Sequence, residues 1–169
     1  DLKFDIPPHI EESIGNVDYV VHIAANSHVD RSIVHPKQFF EDNVMGTVNL
    51  LEWYRKTNPS ALFINYLTDE VFGPALNDIS FKENDRYNST NPYSATKAGA
   101  EELVVAYENT YGLPSIITHT MNVFGERQNI EKYIPMVIKK VRDGEIVTVH
   151  GDKEKTVAGS RHYIYAGDV

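Results

Sequence analysis

Short apolar runs alternate with helical segments along this 169-residue chain, and the alternation limits its fold class. Four runs are predicted strands: 17–25, 61–67, 113–123 and 145–151. Three stretches with helical spacing separate these strands: 36–56, 92–112 and 132–144. Because parallel strands need crossover helices, this order predicts an α/β fold with a mainly parallel sheet whose strands are buried on both faces.

The net charge of −8 argues against a nucleic-acid or membrane-surface binder, because both partners attract basic faces. The absence of cysteine excludes disulfides and thiolate metal sites, and the seven histidines lack metal-ligand spacing, so no metal is predicted. No apolar run approaches the length of a membrane span. We expect a cytoplasmic protein and, since the first residue is not Met, a fragment of a longer chain.

Two adjacent carboxylates, Asp69 and Glu70, follow Thr68 just past the predicted strand 61–67. Ligands of parallel sheets bind at the carboxyl ends of the strands, and polar residues also leave the strands before and after this one. Adjacent acids at a strand end are usually only a solvated turn. The convergence of three polar strand ends instead favours a pocket in which two carboxyl groups divide acid and base work.

Tyr93 and Lys97 stand four residues apart at the start of the predicted helix 92–112, so they share one helical face. A free tyrosine has a pKa of about 10, and a nearby ammonium group lowers that pKa. The hydroxyl of Thr68 could share the proton. Such a group suits removal of a proton from an alcohol as hydride leaves its carbon. The same spacing of Tyr and Lys also occurs by chance on surface helices. It indicates a catalytic pair here because the acid pair Asp69–Glu70 precedes it.

Six stretches, in this order along the chain, carry a family resemblance: HIAANSHVDRSI, NVMGTVNLLEW, TDEVFG, NPYSATKAGAE, NVFGERQNIEKYIPMVI and GSRHYIYAGDV. They resemble the extended short-chain dehydrogenase/reductases of the NAD-dependent epimerase/dehydratase family, and within it the nucleotide-sugar 4,6-dehydratases that act on dTDP-glucose. The resemblance implies a Rossmann-type, doubly wound parallel sheet. The given residues contain no glycine-rich phosphate loop, so we expect a fragment that lacks the first βαβ unit of that fold.

The resemblance also implies that the chain is divided into two domains. It further implies which cofactor and which substrate the protein binds. Residues 1–120 would be the remainder of the NAD-binding domain, and residues 121–169 the start of a small substrate domain. The cofactor would be NAD, and the substrate a nucleotide-diphosphate sugar. The helices at 36–57 and 92–112 would form a homodimer interface.

The implied chemistry gives each catalytic residue a role. Tyr93, helped by Lys97 and Thr68, would take the proton of the sugar C4 hydroxyl as that carbon is oxidised. Glu70 would then remove the C5 proton, and Asp69 would protonate the departing C6 hydroxyl so that water is lost. Return of the hydride to C6 would give a 4-keto-6-deoxy sugar nucleotide.

Further residues match binding positions of the family. The residues implied to contact the cofactor are Asp1, Leu2, Ala24, Ala25, Ser27, Tyr93 and Lys97. The residues implied to contact the substrate are His28, Asn122, Lys132 and Arg161. For His28, a structural hydrogen bond in a loop is an equal alternative, and for Lys132 the alternative is a solvated helix start.

Other functions remain open at this point. A nucleotide-sugar 4-epimerase or decarboxylase of the same family would share Tyr93 and Lys97. An epimerase needs no acid pair, however, and a decarboxylase typically has Ser–Glu at positions 69 and 70. A non-catalytic protein that only binds a nucleotide sugar is a further alternative. The complete pair Asp69–Glu70 is the reason to prefer dehydration.

Overall fold

The structure is a computed structural model that describes residues 1–75, 79–151, 154 and 156–169. It divides into two compact units, Asp1–Thr120 and Met121–Val169. The functional assignment of the two predicted domains, 1–120 and 121–169, stays a prediction.

Helices and strands alternate in the first unit. They are α1 (Pro8–Ile14), β1 (Tyr19–His22), α2 (Val29–Val34), α3 (Pro36–Phe40), α4 (Gly46–Thr57), β2 (Leu62–Thr68), α5 (Pro92–Tyr111) and β3 (Ser115–Thr120). The three strands form a parallel sheet in the order β1–β2–β3, with Val20 opposite Phe63 and Phe63 opposite Ser115. The predicted α/β fold with a parallel sheet is confirmed, and the carboxyl ends of the three strands lie at one edge.

α5 begins and ends where its local signals predict. The Asn91 side chain accepts a hydrogen bond from the Ser94 backbone N–H at 2.9 Å, the Asn91 N–H donates to the Ser94 hydroxyl, and Pro92 takes the first helical position. At the other end Gly112 has φ 69°, a left-handed conformation that glycine adopts without strain. These caps set the register of the helix, so Tyr93 lies in its first turn.

The predicted helix 36–56 is interrupted. Its two ends are the α-helices α3 and α4, but Glu41–Met45 between them forms a π-helical turn. Turns of this kind are rare and are frequent at functional sites. Asn43 lies in this turn with only 2% of its surface exposed. Apolar periodicity alone does not reveal the interruption, because the stripe continues through it.

One face of the sheet carries the core of this unit. Phe63 of β2 is fully buried there with Tyr54 of α4 and Val104 of α5. On the other face, Tyr19 and Val21 of β1 are 64% and 52% exposed. The prediction that β1 is buried on both faces is therefore wrong for the described chain, because α4 and α5 both pack against the opposite face.

The second unit is small and contains β4 (Asn122–Phe124), α6 (Tyr133–Arg142) and β5 (Tyr163–Tyr165). β4 and β5 pair in parallel. The predicted strand 145–151 is wrong: within the described residues it makes only an isolated bridge from Gly151 to Ala158. β4 pairs with β5, and Ile146 in the segment predicted as a strand is 87% exposed, so its apolar side chain is not buried as a strand of the core would require.

Across the described ranges, no helix combines the length and the apolar composition that crossing a membrane requires. In the same part of the chain, the His, Asp and Glu side chains form no group of three that could hold a metal ion.

Candidate active site

The acid pair lies in a short 3-10 turn, Asp69–Phe72, directly after β2. Thr68 caps this turn, since the Glu70 backbone N–H donates to the Thr68 hydroxyl at 3.3 Å. The Thr68 hydroxyl in turn donates to the Asp69 carboxylate at 3.4 Å. Asp69 and Glu70 are both partly buried. The turn therefore breaks the alternation of an extended strand, which would have pointed the two side chains apart.

Tyr93 lies close enough to this turn that the charges of Asp69 and Glu70 both raise the pKa of its hydroxyl. Burial raises the pKa of Tyr93 to about 12, with a further increase from the charge of Glu70 and a smaller one from Asp69, while the hydrogen bond with Thr68 lowers it. The structure thus brings together four of the five predicted catalytic side chains around the Tyr93 hydroxyl. The fifth, Lys97, lies one helical turn further along α5.

Lys97 is buried, with 5% of its surface exposed, and its ammonium group donates to the backbone carbonyl of Tyr66 at 2.9 Å. Burial lowers the pKa of Lys97 to about 8, and the charge of Glu101 opposes that decrease. On β1, burial and the charge of Lys97 together lower the pKa of His22 to about 4. The ammonium group therefore lies beneath the carboxyl edge of the sheet, between α5 and the strands.

The expected effect of Lys97 on Tyr93 is not found. The sequence predicts a lowered pKa for Tyr93, but the pKa is raised, because burial and the two carboxylates together outweigh the Thr68 hydrogen bond. The Lys97 ammonium group binds the Tyr66 carbonyl instead of the phenol. Tyr93 in this structure is a neutral phenol near pH 7.

Two buried polar residues outside the predicted site, Ser32 and Asn43, hold these elements together. The Tyr93 backbone N–H donates to the hydroxyl of Ser32 of α2 at 3.1 Å, and Ser32 is completely buried. Asn43 accepts from the Asn26 backbone N–H at 2.7 Å and donates to the Thr96 hydroxyl at 3.0 Å. Asn43 thereby holds a helix to a loop. Both links join distant parts of the chain, so local patterns could not reveal them.

The residues predicted to contact the cofactor lie in three segments of the first unit, and Tyr93 and Lys97 of α5 form one of them. Ala24, Ala25 and Ser27 lie exposed in the loop after β1. Asp1 pairs with Lys3 at 3.7 Å, and the Leu2 carbonyl accepts from the Asn49 side chain at 2.8 Å. Their contact with a cofactor stays a prediction.

The residues predicted to contact the substrate are divided between the units. In the first unit, His28 caps α2, since its Nδ1 accepts from the Arg31 N–H at 3.5 Å. In the second unit, Asn122 donates to the His162 carbonyl at 3.3 Å, and Arg161 donates to the Ser160 carbonyl at 2.8 Å. Lys132 precedes the first turn of α6. Their roles in substrate binding stay predictions.

Curated relatives match most of the chain. The low-salt glycan biosynthesis protein Agl12 of Haloferax volcanii is 42% identical over 94% of this chain and 49% of its own length. A dTDP-glucose 4,6-dehydratase of Escherichia coli is 38% identical over 89% of this chain and 45% of its own length. The chain spans about half the length of the curated relatives it matches.

Solved structures share the fold. A double mutant of the dTDP-glucose 4,6-dehydratase DesIV of Streptomyces venezuelae, with NAD and DAU bound, superposes with a TM-score of 0.87 at 32% identity, over 99% of this chain and 50% of its own. A UDP-glucose 4-epimerase of Thermus thermophilus in complex with NAD gives a TM-score of 0.83 at 28% identity, over 95% of this chain and 52% of its own. The chain belongs to the GDP-mannose 4,6 dehydratase family, whose model matches residues 9–169.

Proposed function

We propose that this chain carries the catalytic centre of an NAD-dependent nucleotide-sugar 4,6-dehydratase, with dTDP-glucose as the expected substrate. The observation that carries the proposal is the partly buried pair Asp69–Glu70 on one turn, with both charges acting on the phenol of Tyr93. Oxidation of an alcohol needs one proton acceptor. Elimination of water needs a base and an acid in addition, and the acid pair supplies them.

Each residue has a part in the proposed reaction. In the proposed reaction Tyr93 acts in its deprotonated form, the tyrosinate, and accepts the proton of the C4 hydroxyl, with Thr68 hydrogen-bonded to it and the Lys97 ammonium group one helical turn away. Glu70 takes the proton from C5, which the neighbouring 4-keto group makes acidic. Asp69 gives a proton to the departing C6 hydroxyl. The product is a 4-keto-6-deoxy sugar nucleotide.

The residues of the first unit are compatible with a nicotinamide cofactor. The loop after β1 has small, exposed side chains at Ala24 and Ala25, which leave room for a flat dinucleotide along the strand end. Asp1, Leu2 and Ser27 are the further residues proposed to hold it, together with Tyr93 and Lys97. NAD supplies the acceptor for the hydride that leaves C4 and the donor that returns it to C6.

His28 of the first unit and Asn122, Lys132 and Arg161 of the second unit are the proposed contacts of the nucleotide sugar. Lysine and arginine suit a diphosphate because they supply a point charge and a bidentate donor. A cytoplasmic location is part of the same proposal.

The proposal includes a homodimer formed by the segments 36–57 and 92–112. Both segments expose large apolar side chains: Phe40 is 50%, Met45 39% and Tyr111 49% exposed. Apolar surface of this kind suits an interface between two copies. Sedimentation of the full-length protein tests the assembly state, and a monomer at micromolar concentration would contradict the dimer.

A 4-epimerase of the same family is the second candidate, because the UDP-glucose 4-epimerase fold superposes on this chain nearly as well. Incubation of the full-length protein with dTDP-glucose and NAD, followed by mass spectrometry, separates the two. A dehydratase gives a product lighter by one water molecule. An epimer of unchanged mass, or no turnover of any nucleotide sugar, would overturn the proposed dehydration.

A further inference from the structure

Glu101 lies on α5 four residues after Lys97, on the same helical face. Both side chains are buried, with 3% of Glu101 and 5% of Lys97 exposed. A buried carboxylate is costly unless its charge has a partner. Lys97 and Glu101 carry opposite charges and lie one helical turn apart, so each can serve as the charged partner of the other.

The carboxylate of Glu101 is held from two sides. Nε2 of His119, on β3, lies 2.8 Å from one carboxylate oxygen and 3.0 Å from the other. The His119 ring itself packs against Phe72, with 4.9 Å between the ring centroids. From the loop before α5, the Tyr87 hydroxyl also makes a hydrogen bond with Glu101. The carboxylate therefore cannot swing away from α5 without losing both contacts.

The groups that face Lys97 show why the charge of the Glu101 carboxylate matters for the protonation of Lys97. On β2 the ammonium group contacts only a neutral carbonyl, that of Tyr66. On β1 the facing group is His22, whose low pKa keeps it neutral near pH 7. Within α5 the titratable neighbours are Tyr93 and Glu101. Glu101 is the group whose charge favours the protonated form of Lys97 against the cost of its burial.

We propose that Glu101 is a positioning residue that keeps the buried Lys97 protonated, and that His119 holds its carboxylate in place. The inference rests on the proposed function, in which Lys97 lies one helical turn from the proton acceptor Tyr93 and assists it as a charged ammonium group. With a pKa of about 8, Lys97 is mostly charged at pH 7, but only by a narrow margin. Without the charge of Glu101 the pKa of Lys97 should fall further, and a larger fraction of Lys97 would be neutral at pH 7.

The test is the titration of Lys97 in the full-length protein, followed by ¹³C NMR of labelled lysine and assigned with Lys97→Arg. Glu101→Gln should lower the pKa of Lys97 by about one unit, the scale expected for a unit charge one helical turn away in a buried site. Glu102→Gln is the matched control, since Glu102 is adjacent in sequence but exposed. Glu101→Asp, which retains the charge, should restore most of the parent value.

His119 supplies a second pair of variants that does not touch α5. His119→Phe removes the hydrogen bond to Glu101 and should lower the pKa of Lys97 in the same direction as Glu101→Gln. His119→Gln retains a donor and should leave the pKa near the parent value. An unchanged Lys97 titration in both Glu101→Gln and His119→Phe overturns the proposal.

The pH profile of the reaction gives the functional readout. If the parent oxidises a nucleotide sugar, the alkaline limb of its single-turnover hydride transfer should move by about one pH unit toward acid in Glu101→Gln, in step with the NMR titration. Loss of activity with no movement of either limb would indicate a merely structural role and contradict the proposal. A parent without activity refutes the proposed function alone, because the NMR titration still tests the role of Glu101.

Discussion

The side-chain amide of Asn43 and the hydroxyl of Thr96 lie 3.0 Å apart, and this hydrogen bond joins the π-helical turn to α5. Thr96 lies between Tyr93 and Lys97 on that helix. The same Asn43 side chain binds the backbone N–H and carbonyl of Asn26, in the loop after β1. One buried amide therefore fixes the loop proposed to contact the cofactor relative to the helix that carries Tyr93 and Lys97.

Asn43→Ala should destabilise the protein strongly. The change leaves the Asn26 N–H and carbonyl without their partner in a partly buried site, and an unsatisfied buried group costs about 1–3 kcal/mol. We expect a loss of about 2–4 kcal/mol in the free energy of unfolding, measured by urea denaturation of the full-length protein. Asn109→Ala, at an exposed position of α5, is the control and should change the free energy by less than about 0.5 kcal/mol. Equal effects of the two changes would contradict the bridging role of Asn43.

Tyr93→Phe should remove hydride transfer but retain the fold. The substitution deletes only the hydroxyl, and the helix remains anchored because the Tyr93 backbone N–H still donates to Ser32. In single-turnover absorbance measurements with NAD and the nucleotide sugar, NADH formation should fall by about 100-fold or more. Tyr111→Phe, an exposed change on the same helix, should leave the rate unchanged. A Tyr93→Phe protein that forms NADH at the parent rate would show that another group accepts the proton.

Glu70→Gln should lower the pKa of Tyr93. After burial, the charge of Glu70 is the largest contribution that raises this pKa to about 12, and the amide removes that charge. Titration of the Tyr93 Cζ resonance by NMR, assigned with Tyr93→Phe, measures the change. Glu12→Gln, an exposed acid of α1, serves as the control and should not move the resonance. A Tyr93 titration that stays at the parent pKa in Glu70→Gln would mean that burial alone sets the value.

Sequence patterns predicted the elements whose signals are local. The boundaries of α5 follow from Pro92 and Gly112, and the caps there involve residues at most four positions apart. The position of the acid pair past a strand end was likewise correct, because the residues of β2 up to Leu67 are apolar except for Asn65, and the turn follows directly after Thr68.

The features that depend on distant contacts were missed. Ser32 lies in the short helix α2. Its hydroxyl accepts a hydrogen bond from the backbone N–H of Tyr93, which lies 61 positions away, so the local sequence does not reveal this contact. The segment predicted as a strand at 145–151 had the alternating pattern, but within the described residues it forms only the bridge from Gly151 to Ala158, and β4 pairs with 163–165. The raised pKa of Tyr93 also depends on how the Asp69–Phe72 turn directs its carboxylates, and spacing along the sequence does not contain that information.

Acid should destabilise the protein through His22. Burial and Lys97 lower the pKa of its ring from the ordinary 6.5 to about 4, so between these values the unfolded chain binds a proton that the folded protein does not. The contribution of His22 is complete above pH 6.5 and is lost as pH falls toward 4, a total of about 3 kcal/mol. Urea denaturation of the full-length protein at pH 7 and at pH 4.5 measures the loss. His22→Gln should show a smaller loss, while the exposed control His9→Gln should retain the parent dependence. Identical pH dependence in all three proteins would refute this contribution.

Asp69→Asn combined with Glu70→Gln should separate oxidation from elimination. Oxidation at C4 needs the proton acceptor Tyr93, whereas loss of water needs the two carboxyl groups that follow β2. In the full-length protein, the double variant should still form NADH in a single turnover and then stall with the 4-keto sugar bound. Formation of the 6-deoxy product should fall by about 100- to 10,000-fold, the usual contribution of a general acid or base. The control Glu11→Gln with Glu12→Gln changes an adjacent acid pair on α1 and should leave both steps intact. If the double variant at 69 and 70 made 6-deoxy product at the parent rate, the two carboxylates would be only a solvated turn, and the dehydratase assignment would fail.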